Sequence, residues 1–148
     1  MLLEQKINEG IKTAMLAKDK LRLEALRAVK AAILLAKTAE NPTELDEVSE
    51  TKMLQKLVRQ RRETAEIYLQ NNRRELADRE LAEAAVIEEF LPKQMSEEEI
   101  EAAVKAAIAE TGAITVKDTG KVIGKVSKQL AGKADGRLIS DTVKKLLQ

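Results

Sequence analysis

The chain has 148 residues, 26 Lys/Arg against 25 Asp/Glu, no His and no Cys, and only two aromatic side chains, Tyr68 and Phe90. This excludes disulfides, thiolate chemistry and any zinc site built on the usual nitrogen and sulfur ligands, and it removes the side chain most used for proton transfer near neutral pH. No apolar run approaches the roughly 20 residues that span a bilayer, and Met1-Leu2-Leu3-Glu4 lacks the basic region and apolar core of a signal peptide, so a cytoplasmic location is expected.

Leu3, Ile7, Ile11 and Met15 recur every four residues and predict a first amphipathic helix. Asp19 is placed to cap a second, whose apolar side carries Leu23, Leu26, Ala28, Val29 and Ile33. Asn41-Pro42 marks a loop, and Thr43 with Asp46 three residues later reads as a capping box opening a long third helix. Leu54, Leu57, Val58, Ala65, Tyr68 and Leu69 hold its period until Asn71-Asn72. Asn72 with Glu75 then predicts the start of a fourth helix through Leu76, Leu81, Ala85 and Ile87 to Phe90. No stretch alternates as a strand would. Leu91-Pro92 closes this part, because the residue before proline is pushed out of the helical region.

Ser96 with Glu99 forms a second capping box, and the helix through Ile100, Val104 and Ile108 ends at Gly112, a fit for a left-handed C-cap. Thr115 with Asp118 opens the next helix, which Gly132 closes, and Asp135 caps the last, through Leu138, Ile139, Val143, Leu146 and Leu147. The expectation is an all-α protein: an N-terminal four-helix domain over 1–92 and a small three-helix C-terminal domain over 96–148.

Charge is unevenly divided. Residues 112–148 hold eight Lys/Arg against three Asp, while the rest of the chain is acidic on balance. Such asymmetry often separates a scaffold from a polyanion-binding surface. At about 100° per residue over 116 to 131, Val122, Ile123, Val126 and Leu130 fall in one arc. Lys117, Lys121, Lys125 and Lys128 gather on the opposite side, with Gly120 and Gly124 on the flank; Lys133 and Arg137 extend the patch. A glycine inside a helix costs about 1 kcal/mol against alanine, so two of them need a reason. Close helix packing is one, and close approach of a ligand backbone is the other.

The densest basic cluster, Arg59-Gln60-Arg61-Arg62, has Glu63 four residues after Arg59 and Glu66 four after Arg62, so ion pairs along one helix account for most of it, with a phosphate contact as the alternative. No catalytic constellation emerges. Ser127 and Lys128 are adjacent and point apart on a helix, and Gly120-Lys121 and Gly124-Lys125 lack phosphate-loop spacing. No cofactor is implied. Lysines facing phosphates give affinity with little base reading. Without aromatics in the tail there is no platform for unpaired bases, so a folded, double-helical nucleic acid is the favoured ligand and an acidic protein surface, such as the acidic helix 96–110 of a neighbouring chain, the alternative.

Longer runs carry a resemblance. Phe90-Leu91-Pro92-Lys93-Gln94-Met95-Ser96-Glu97-Glu98-Glu99-Ile100, Lys117-Asp118-Thr119-Gly120-Lys121-Val122 and Gly132-Lys133-Ala134-Asp135-Gly136-Arg137-Leu138-Ile139 resemble the GatB/YqeY family. So do Val58-Arg59-Gln60-Arg61-Arg62 and Lys18-Asp19-Lys20 with Arg22 and Arg27. The resemblance implies two helical domains, the second similar to the tail of the tRNA-dependent amidotransferase B subunit, which helps to hold tRNA and carries none of the chemistry. It therefore implies a non-catalytic tRNA- or structured-RNA-binding protein. Two alternatives go with it: a helical adaptor for an amidotransferase or synthetase, or an accessory amidotransferase component (a carbon–nitrogen ligase with glutamine as amido-N-donor) that needs partner subunits.

Overall fold

The computed structural model describes residues 2–39 and 45–148. Among these, all regular structure is helical: seven α-helices, one short 3₁₀ turn and no strand. Contacts divide the chain into two units, one ending at Pro92 and the other beginning at Lys93.

The first unit contains α1 (Leu3–Ala17), α2 (Lys20–Thr38), α3 (Glu47–Gln70) and α4 (Arg74–Glu88). Lys18 ends α1 in the left-handed region, with its amide and that of Asp19 returning to Met15 and Ala14 carbonyls. The Asp19 carboxylate then accepts the Arg22 amide at 3.1 Å and starts α2. So short a connection folds α1 back on α2. Gly10 permits their close approach: a β-carbon there would stand 2.9 Å from Leu26 Cδ1, and Leu26 is fully buried. Ile7, Leu26, Val29, Ile33, Leu54, Val58 and Ile87 fill the core. With almost no aromatics, it is an interlock of branched aliphatic side chains and alanine.

Some of the expectations change here, and others fall outside the described residues. Thr43, Asn41 and Pro42 lie outside the described residues, and the cap of α3 is Asp46, which accepts the Ser49 amide at 2.8 Å. Asn72 does not cap α4; it takes φ 57° as α3 ends, a conformation asparagine tolerates, and Arg73 precedes α4 with no side-chain cap. The buried face of α4 is Ala77, Ala84, Val86 and Ile87, whereas Leu76, Leu81, Ala85 and, on α3, Leu69 are exposed. Small side chains win the α3–α4 contact: Ala65, Ala77 and Ala84 let the backbones approach, and the bulkier leucines are left at the margins. Met15 of α1 is likewise exposed.

The second unit contains α5 (Glu97–Thr111), a 3₁₀ turn (Val116–Asp118), α6 (Thr119–Gln129) and α7 (Gly136–Leu146), with the three α-helices packed on one another. Ser96 and Glu99 form the expected box, Gly112 takes φ 67°, and Asp135 accepts the Arg137 amide. Ile100, Val104, Ala107, Val122, Val126, Ile139 and Val143 form the core. Gln94 and Met95 are bonded within this unit: the Met95 amide donates to the Lys133 carbonyl at 2.8 Å, and Gln94 Nε2 to that of Gly132 at 2.9 Å.

Candidate nucleic-acid interface

The basic face begins with a hydrogen-bonded turn. The Asp118 carboxylate accepts the amides of Ile114 and Thr115 at 3.0 and 3.2 Å, which holds its carboxyl below the usual aspartate range. Thr119 Oγ1 donates to the Val116 carbonyl. The continuous helix expected from 116 is thus a 3₁₀ turn followed by α6. Lys117 stands on that turn, so its direction is not set by the period of α6. The segment also presents Ile114 and Val116 to water, 84% and 63% exposed.

Along α6, Val122 and Val126 are buried, Ile123 is half-buried and Leu130 is buried just beyond the end, as expected of the inward arc. Lys121 and Lys128 are exposed and, like Lys117 and Lys133, form no ion pair among the described residues. Lys133 lies in the turn after α6, and Arg137 is in the first turn of α7; both are exposed. Lys125 differs. It is half-buried and its Nζ is bonded to the Glu110 carboxylate on α5, which lowers the pKa of Glu110.

The surroundings of Gly120 and Gly124 bear on the packing explanation. At Gly120 and Gly124 an added β-carbon would meet nothing within 4 Å, and both residues are exposed. Neither glycine makes a close packing contact with the described residues of its own unit, in contrast to Gly10 against Leu26.

The arginine cluster goes the other way. Arg59 lies 4.0 Å from Glu63, as the spacing predicts. Arg62 reaches Glu88 of α4 instead of Glu66, and Arg61 Nε stands 3.7 Å from Glu83, with side-chain exposures of only 16% and 13%. Arg61 Nη1 also donates to the Leu57 carbonyl at 3.2 Å. Burial pushes the Glu83 carboxyl up, against the downward pull of Arg61. The cluster is therefore largely committed to the α3–α4 contact. Sequence spacing missed Glu83, Glu88 and Glu110 because each pairs across two helices, where periodicity within one helix carries no signal.

Between α5 and α7 lies an open hollow of about 200 Å³ floored by Leu138 and Leu146 and rimmed by Glu97, Glu101 and Asp141, smaller than ordinary small-molecule pockets. Among the described residues no group of three or more carboxylates could hold a metal ion, and no helix is long and apolar enough to cross a membrane.

The fold and the site define a small all-α protein of two helical units whose second unit displays a lysine-rich helix face around two open glycines. The chain belongs to the Yqey-like protein family, whose model matches residues 4–147. It is similar to the altered inheritance of mitochondria protein 41 of the yeast Lachancea thermotolerans, with 33% identity over 106 residues, 70% of this chain and 57% of that protein. The same-named protein of Vanderwaltozyma polyspora is 33% identical over 85 residues, 57% of this chain and 46% of that protein. The chain thus spans about half the length of these curated relatives. Their name places them in mitochondria, so they lend no support to the cytoplasmic expectation.

Proposed function

We propose that the chain is a non-catalytic RNA-binding protein that holds tRNA or another folded RNA on the exposed face of α6. Lys117, Lys121, Lys128, Lys133 and Arg137 would meet phosphates while Gly120 and Gly124 let the RNA backbone come close. Within the same proposal, the four-helix and three-helix units are separate domains and the second carries the RNA contact. The observation that carries the reading is the open space at Gly120 and Gly124. Each glycine costs helix stability with no packing in return, and both flank a row of ammonium groups. Tyr68 and Phe90 lie outside the second unit, so that unit offers no aromatic stacking platform, and recognition by shape and backbone fits a double-helical RNA. Nothing in the reading depends on compartment, since a folded RNA presents the same phosphates in cytosol or mitochondrion.

The test is binding of a tRNA pool to the full chain as salt is varied. Five cationic contacts at roughly −0.9 each predict a slope of log K against log salt of about −4 to −5. Absence of binding at low ionic strength refutes the proposal. A second reading, an adaptor for an amidotransferase or synthetase, is favoured by the exposed Ile114 and Val116 beside the lysines. Capture of such a protein that survives nuclease treatment and charge reversal of the lysines would support it. With glutamine, ATP and mischarged tRNA, the purified chain alone is expected to show no turnover.

A further inference from the structure

Lys125 sits among the lysines of α6 yet is the one whose ammonium is already engaged, by the carboxylate of Glu110. Its side chain is 34% exposed against 61% for Glu110, so the lysine is drawn toward α5 and the carboxylate stands at the surface. Glu110 occupies the last turn of α5, where the carbonyl end of the helix disfavours an anion, and that turn holds no basic residue of its own. Lys125 therefore answers a local charge that would otherwise be uncompensated. A phosphate brought to Lys125 would share one ammonium with a carboxylate at a helix C-terminus, an arrangement of like charges that costs affinity.

We infer that Glu110 splits the basic face of α6 into two phosphate-binding sets, Lys117 with Lys121 and Lys128 with Lys133 and Arg137, by holding Lys125 and excluding a phosphate from the ground between them. The inference rests on the RNA reading and fixes the ligand more narrowly. Lys121 and Lys128 are seven residues apart, roughly 10 Å along the helix axis. The ligand must therefore offer two phosphate contacts separated by a gap where no phosphate is tolerated. A strand laid evenly along the whole stripe would violate that gap. Glu110 then acts as a positioning residue, setting the register of the ligand without touching it.

The experiment compares the full chain with Lys121→Gln, Lys125→Gln, Lys128→Gln and Glu110→Gln by fluorescence anisotropy with labelled tRNA between about 50 and 300 mM salt, with helicity checked by circular dichroism. One phosphate contact at a slope of −0.9 corresponds to roughly eightfold in affinity at 0.1 M salt. Lys121→Gln and Lys128→Gln should each lose about that factor and flatten the slope by about 0.9. Lys125→Gln should change affinity by less than about twofold at an unchanged slope. Glu110→Gln should release Lys125 and tighten binding with a steeper slope. A loss at Lys125→Gln equal to that at Lys121→Gln overturns the inference while leaving the RNA reading standing, as does a Glu110→Gln protein that binds no tighter than the parent. Failure of the parent chain to bind overturns the RNA reading and this inference together.

Discussion

Replacing Gly120 and Gly124 by alanine should make the protein more stable and less able to bind its ligand. Both positions are exposed, lie within α6 and have open space where the methyl group would go. Neither is among the glycines at positive φ. The full helix-interior gain of about 1 kcal/mol applies to Gly124. Gly120, in the first turn, should give about half of that, for a sum near 1.5 kcal/mol. For a helical unit of this size that corresponds to a rise in Tm of about 6–12 °C. The assay is thermal unfolding of the full chain followed by circular dichroism, paired with tRNA anisotropy on the same samples. If the double variant is less stable than the parent, the open space at these glycines is filled in solution and the packing argument fails. If it is more stable but binds tRNA unchanged, the methyl groups do not meet the ligand and the close-approach role is refuted.

Arg61→Met should destabilise the first unit by about 1–3 kcal/mol, below the roughly 3–5 for a fully buried pair because both partners keep some exposure. Adding Glu83→Leu should restore much of the loss, and a urea-unfolding cycle reads the coupling between the two sites. Ser96→Ala removes the box that starts α5 and should cost about 1 kcal/mol in the second unit, measured by the same unfolding. The pH dependence has two signs. Asp46 and Asp118 have folded pKa values below their unfolded ones, so their stabilisation is complete above about pH 4 and is lost as pH falls through the folded values. Glu83 is shifted upward, so its burial cost is felt above its raised pKa and relieved as pH falls through it. Urea midpoints across pH 3–8 should therefore show the effect of Glu83→Gln at neutral pH and lose it through the mildly acidic range, and show the cost of Asp118→Asn above about pH 4 and lose it below.

The fold was legible wherever a local device set it. Asp19, Ser96 and Asp135 cap the helices that their positions forecast, and Gly112 ends α5 in the left-handed region. The second core, Ile100, Val104, Val122, Val126, Ile139 and Val143, follows from periodicity alone because each helix there has one apolar stripe. The α3–α4 contact was misread for a stated physical reason. Periodicity weights leucine above alanine, but a close helix pair buries the small residues and sets Leu76 and Leu81 aside. At the candidate interface the wheel placed Lys121 and Lys128 correctly on the exposed side and Val122 and Val126 on the buried one. The diversion of Lys125 to Glu110, fifteen residues earlier on another helix, is a tertiary fact that no local pattern encodes.

Met95 stands outside every helix, yet its amide is bonded to the carbonyl of Lys133 in the turn that joins α6 to α7. An amide in such a position exchanges with solvent deuterium only when that bond opens. Its exchange rate is thus a clock for the turn that carries Lys133, readable at a single backbone proton without any label on the basic face. A ligand that grips Lys133 and stills the turn would slow that clock, and one that pulls the turn open would quicken it.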